Sequence, residues 1–193
     1  MTTRPEIGVV ELRQYTLHPG RRDELVELFD RELVETQEAC GMWVLGQFRD
    51  LERPDRFVWL RGFTDMEGRR RALEAFYGGP VWGRHADAAN ATMAEFDDVY
   101  LLAPDGAIEV ADSRTPPGAA HGELSVTVYD GRPDLPRGQA LAVLVGLDAA
   151  NTFPALPLRD DGDVTVRVER GPPPAGPVRQ SIRAEPTGRS LLR

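Results

Sequence analysis

Between Ala103 and Glu123 the chain carries Pro104, Gly106, Pro116, Pro117, Gly118 and Gly122, with neither a helical nor a strand period. Proline removes a backbone donor and fixes φ, so such a run joins structures rather than continuing one. The expected organisation is a domain over residues 5–104, a linker over 105–122 and a second unit over 123–193. Gly171 to Pro177 holds four more prolines and is expected to be a loop.

Before the break, hydrophobic periodicity alternates between strand and helix. Val9 to Leu17 reads as a strand closed by His18-Pro19-Gly20. Leu25, Leu28, Phe29, Leu33, Thr36 and Cys40 share one helical stripe, and Gly41 is a fitting stop. Met42 to Phe48 and Phe57 to Phe63 read as strands around an Arg53-Pro54-Asp55 turn. Thr64 and Glu67 have capping-box spacing and open a helix through Leu73, Phe76 and Tyr77. After Gly78-Gly79-Pro80, another stripe runs through Trp82, His85, Ala86, Ala89, Met93 and Phe96, and Asp98 to Leu102 is a fourth strand. The order β-α-β-β-α-β with one extra helix is the ferredoxin-like arrangement, an α+β fold.

The second part begins alike, with Glu123 to Tyr129 echoing Glu11 to Tyr15. A helix is expected over Gln139 to Ala150, a strand over Val164 to Glu169, and a last strand within Ile182 to Arg193. This reads as tandem ferredoxin-like halves, the second trimmed. A sheet with helices on one face must have its other face covered, by the second half or by another chain.

Composition narrows the chemistry. The chain has 193 residues and a formal charge of −8, which argues against a nucleic-acid partner and against an anionic membrane. All 23 basic residues are Arg, which removes Schiff-base chemistry and a Walker lysine. It also points to a GC-rich bacterial genome. Cys40 is alone and the histidines (18, 85 and 121) are scattered, so no metal site is expected. GxSxG, GxGxxG and GxxxxGK[ST] are all missing. The start, Met1 to Glu6, is polar, and no apolar run approaches 18 residues. A cytoplasmic location is expected.

The segment ELRQYTL with its following PG and Arg-rich helix resembles the NIPSNAP family. So do MWVLGQFRDLERPDRFVWLRGF and AFYGGPVWGRHADAANATM, and the resemblance covers Ile7 to Leu102. NTFPALPLRDD and EPTGRSLLR resemble the C-terminal repeat of bacterial members, minus one helix. The resemblance implies a dimeric α/β barrel, in which two ferredoxin-like sheets face each other, and a homodimer. Relatives by fold include cofactor-free monooxygenases, polyketide cyclases, isomerases and haem enzymes, and fold alone decides among none of these.

Strand alternation puts Glu11, Arg13 and Tyr15 on one face of the first strand, and Phe57, Trp59, Arg61 and Phe63 on one face of the third. In the second strand, Leu45, Gln47 and Arg49 alternate with Val44, Gly46 and Phe48. The aliphatic sets suit packing on helices, so the polar-aromatic face is expected to point into the barrel. Two readings of it stay open. Glu11 pairs with Arg13 or Arg61 and cements the contact between sheets. Alternatively, Arg13, Tyr15, Gln47, Arg49, Trp59, Arg61, Trp82 and Asn90 hold a small anionic or enolisable compound, with His85 or Glu11 as base. On that reading the protein is a cofactor-independent monooxygenase, isomerase or cyclase of the kind used in secondary metabolism, with no cofactor. A non-catalytic binding or interaction module, and a haem-binding barrel using His85 or His18, are the alternatives. Arg69-Arg70-Arg71 is expected to be a solvated helix face.

Overall fold

The computed structural model describes residues 6–138 and 140–193. The polar start from Met1 to Pro5, with the expected domain boundary at residue 5, and Gln139, the expected start of a helix, lie outside the described residues. The elements are β1 (Val9–Leu17), α1 (Arg22–Leu28), a π-helical turn (Phe29–Leu33), α2 (Val34–Ala39), β2 (Trp43–Asp50) and β3 (Arg56–Phe63). They continue with α3 (Met66–Tyr77), α4 (Pro80–Asn90), β4 (Met93–Pro104), β5 (Leu124–Asp130), β6 (Ala140–Gly146), β7 (Val164–Arg170) and β8 (Val178–Pro186). All eight strands form one closed antiparallel barrel in the order β1-β3-β2-β8-β5-β7-β6-β4. Counted within each half, the order is fourth, first, third, second on both sides. The second half thus covers the face that the first half leaves bare, and closure needs no second chain.

An eight-stranded barrel is just wide enough for its own side chains to fill. Val10, Leu12, Val58, Leu60, Tyr100 and Leu102 from the first half meet Val126, Val128, Leu144, Val166, Val168 and Ile182 from the second. This reverses the expected orientation. The aliphatic face lines the barrel, and the polar-aromatic face turns outward beneath the helices. Tyr15, Val44, Phe57, Trp59 and Phe63 pack there with Leu25, Phe29, Leu33, Leu73 and Phe76. A filled interior has no room for a row of charges, whereas the helix layer supplies partners for them.

Alternation also fails at one point. Val44 pairs with Arg61 and Gly46 with Leu60, so Leu45 is an extra residue in a bulge. Leu45 therefore joins Phe48 in the barrel core. Gly46 is needed beside it: a β-carbon there would stand 2.5 Å from the Phe48 ring.

Other expectations are corrected too. The helix expected from Gln139 to Ala150 is strand β6 over its described core, paired with both β7 and β4. The last strand begins earlier than Ile182, at Val178. Met93 and Phe96 belong to β4 rather than to α4. The α3 cap is Asp65, whose carboxylate accepts from Gly68 N at 2.6 Å, in place of Thr64.

Among the described residues, no helix covers the outer face of the second sheet. Proline-rich loops do so instead: Tyr129 donates to Pro174 O at 2.8 Å and Arg167 to Pro136 O at 2.7 Å. Residues 105–122 lie against the barrel, with Ile108 and Val110 packed on its core. Glu109 N donates to Leu141 O at 2.7 Å. Among the described residues, no helix is long and apolar enough to cross a membrane.

Candidate functional site

Glu11 and Arg61 are direct cross-strand partners, and Arg13 follows two residues along β1 on the same face. Arg13 Nη1 donates to Glu11 Oε2 at 2.7 Å and Arg61 Nε to the same oxygen at 2.8 Å. From above, α3 lowers Arg69, whose Nε donates to Glu11 Oε1 at 2.6 Å. The four side chains are at most 1% exposed. One carboxylate faces three guanidinium groups, so the node carries a net charge of +2. Burial by itself would raise the Glu11 pKa, but Arg61, Arg13 and Arg69 outweigh it and hold the carboxyl well below the usual range. Glu11 is fixed as an anion with both oxygens engaged.

Arg69 was expected in solvent. Arg70 does lie there, paired with Glu67 and Glu74. Arg69 instead shares the buried stripe of Ala72, Leu73 and Phe76. That spacing of three, four and seven residues was the signal to find it.

In front of the node lies an aromatic enclosure. Tyr15 and Trp59 form its floor, and Leu25, Phe29, Leu33 and Gln37 one wall. Phe76, Tyr77, Trp82 and Met93 complete it. Tyr15 and Trp59 meet edge to face at 6.0 Å and 80°, and Phe29 meets Trp59 at 4.8 Å and 70°. The node lies directly behind this floor. Arg13 and Arg61 stand 5.8 and 5.2 Å from the Trp59 ring centre. Arg13 Nε donates to the Tyr15 hydroxyl at 3.0 Å. Burial pushes the Tyr15 pKa up more than Arg13 pulls it down, so the phenol stays protonated. The enclosure is about 20 Å³, room for a single water. Anything larger enters only if a wall moves, and α4 is the loosest wall, with Ala89 its one buried residue.

Glu11, Arg13, Tyr15, Trp59, Arg61 and Trp82 are therefore brought together. The other expected residues are not. Gln47 is buried but turned to the π-helical turn, where its Nε2 donates to Asp30 Oδ1 at 3.3 Å. Arg49 binds Asp23 at 2.9 Å toward the surface. His85 lies one turn beyond Trp82 on α4, its Nε2 3.7 Å from Glu32 Oε2. Asn90 is exposed at the end of α4.

The second half also reaches the site, which no local pattern announced. The β6–β7 connection brings Asn151 Oδ1 and Thr152 Oγ1 within 3.1 and 3.2 Å of Arg69 Nη1. Phe153 stacks on Tyr77 at 5.8 Å and 24°. At matching places on the second sheet, Ser125 pairs with Glu169 and Thr127 with Arg167. There the Arg167–Glu169 pair, 2.7 Å apart, lies under the proline-rich loops, and among the described residues no aromatic side chain lines the hollow before Arg167. Among the described residues no His, Cys, Asp and Glu cluster is suited to a metal ion.

The NIPSNAP family model matches residues 10–104. No curated protein matches the chain. Among solved structures, a NIPSNAP family protein of Agrobacterium tumefaciens str. C58 is 18% identical, over 50% of this chain and 91% of its own, with a TM-score of 0.46. An uncharacterized NIPSNAP-like domain protein of Burkholderia xenovorans is 26% identical, over 50% of this chain and 84% of its own, with a TM-score of 0.46. A candidate monooxygenase of Lactobacillus acidophilus NCFM is 10% identical, over 97% of this chain and 100% of its own, with a TM-score of 0.55. That last likeness shows a shared fold across the whole barrel.

Proposed function

We propose, from the premise that the chain belongs through residues 10–104 to the NIPSNAP family, that its working site is the aromatic enclosure between the first sheet and its helices. The protein is then a cofactor-independent enzyme acting on a small hydrophobic, enolisable compound. Monooxygenase, isomerase and cyclase chemistry all begin with the same step, formation of a carbanion or enolate. The observation that carries this reading is the charged node behind the aromatic floor. A net charge of +2 in a dry setting favours the anionic form of a bound compound. Glu11 organises that charge and is too firmly held as an anion to exchange protons. His85 supplies the base, carried by the helix that moves to admit the compound. The two halves, 5–104 and 123–193, act as copies of one ferredoxin-like unit joined by 105–122, and only the first keeps a site.

A second reading, a non-catalytic binding module, is favoured by one fact. The described side chains lining the enclosure include no carboxylate, imidazole or thiol that could take up a proton from a ligand. A haem barrel fits the residues less well, because His85 faces Glu32 and the enclosure, at about 20 Å³, is far too small for a porphyrin. A homodimer would assemble through the outer surface of the barrel, and a lone Cys40 suits a reducing, cytoplasmic setting.

Native mass spectrometry of freshly purified protein tests the reading. A small additional mass that is lost in Trp82→Ala supports a site in the enclosure. Catalysis adds a second requirement, that His85→Ala abolishes turnover of the recovered compound and leaves its binding intact. A compound held equally by both variants places its site elsewhere.

A further inference from the structure

Among the described residues, three buried donors around the node have no acceptor: Trp59 Nε1, Arg61 Nη2 and Arg69 Nη2. A buried polar group left unpaired is costly, and each of these belongs to a side chain at most 2% exposed. All three are donors; the one unpaired buried acceptor near them, Gln47 Oε1 on the residue paired with Trp59, is neutral and leaves the charge of the node untouched. The cause is visible in the geometry. Arg61 and Arg69 each present an Nε edge to Glu11, and each takes one of its two oxygens. A guanidinium edge is built to grip two carboxylate oxygens at once, and one carboxylate cannot satisfy two edges and Arg13 as well. Water can accept from an orphaned donor but cannot offset a net charge of +2. An oxyanion does both.

Resting on the reading of the enclosure as a ligand site, we infer that its ligand carries a carboxylate. This second carboxylate sits beside Glu11 and accepts from Arg61 Nη2 and Arg69 Nη2, while the apolar part of the ligand occupies the aromatic enclosure. Trp59, which stands between node and enclosure, orients the junction of the two. The second half takes part through Asn151 and Thr152, which hold Arg69 Nη1 and so leave Nη2 for the ligand. Arg69 is thereby a specificity-determining residue for an acidic ligand.

Calorimetric titration of the full chain with benzoate, benzamide and chloride tests this. Benzoate and benzamide share a ring and differ in charge. Benzoate is expected to bind roughly tenfold tighter or more, the worth of charge-assisted hydrogen bonds, with chloride alone failing to match it. Arg69→Gln should remove most of the difference, and Arg70→Gln, on the exposed face, should keep it. The comparison on the unmodified protein stands even if the Arg69 variant does not fold. Equal binding of benzoate and benzamide overturns the carboxylate assignment and leaves the enclosure standing as a ligand site. Chloride binding as well as benzoate overturns it too, in favour of an inorganic anion site. Binding of neither aromatic compound removes both the assignment and the reading beneath it.

Discussion

Arg69 Nε stands 2.6 Å from Glu11 Oε1, tying helix α3 by charge to the first part of strand β1. Removing one partner of a buried ion pair costs about 3–5 kcal/mol, because the other charge stays behind. The two ends of this contact are unequal. Glu11→Gln raises the node from +2 to +3, whereas Arg69→Met lowers it to +1. Glu11→Gln is therefore expected to be the more damaging, by several kcal/mol in urea denaturation. A larger loss from Arg69→Met would mean that packing, and not charge, governs the contact.

The same carboxyl makes stability depend on pH. The Glu11 pKa lies below its ordinary 4.5 in the folded state, so the folded protein binds fewer protons than the unfolded chain. Its contribution is complete above that value and is lost progressively as pH falls below it. Asp30 acts in the opposite sense, because burial raises its pKa. Acid unfolding curves should show stability falling below about pH 4.5. The fall should be markedly shallower in Glu11→Gln, provided that variant folds, and an unchanged slope would remove Glu11 from the account.

How much of this was legible in the residues depends on the range of the interaction. A period of two correctly grouped Glu11 with Arg13, and Trp59 with Arg61, but not which face was inside. That choice depends on eight strands closing into a filled barrel, four of them more than 100 residues along the chain. Arg69 was hidden by its neighbours Arg70 and Arg71, although its spacing to Leu73 and Phe76 marked it as buried. Ala140 to Gly146 is rich in good helix formers, yet pairing with β7 and β4 overrides that propensity. The approach of Asn151 to Arg69 spans 82 positions and left no local trace.

Helix α4 is expected to open more readily than α3. Ala89 is its only buried residue, while α3 buries Arg69, Ala72, Leu73 and Phe76. Local opening follows buried contact. Hydrogen exchange should show the amides of residues 82–90 exchanging at least about tenfold faster than those of 69–77, a gap of about 1.4 kcal/mol in opening free energy. Equal protection would deny α4 its role as the moving wall.

Separating the halves supplies the last expectation. Residues 1–104 alone would present Val10, Leu12, Val58, Leu60, Tyr100 and Leu102 on an uncovered sheet face. Monomeric proteins rarely expose so continuous an apolar patch, and its cover in the full chain comes from β5 to β8. The fragment is therefore expected to self-associate, two copies facing each other as the two halves do. Sedimentation equilibrium should find it dimeric or larger at micromolar concentration. Strand order makes the pairing geometrically reasonable, since both halves present four strands in the same sequence of neighbours. A stable, folded monomer of the fragment would mean that the second half is an addition to a finished fold and not the other wall of a shared core.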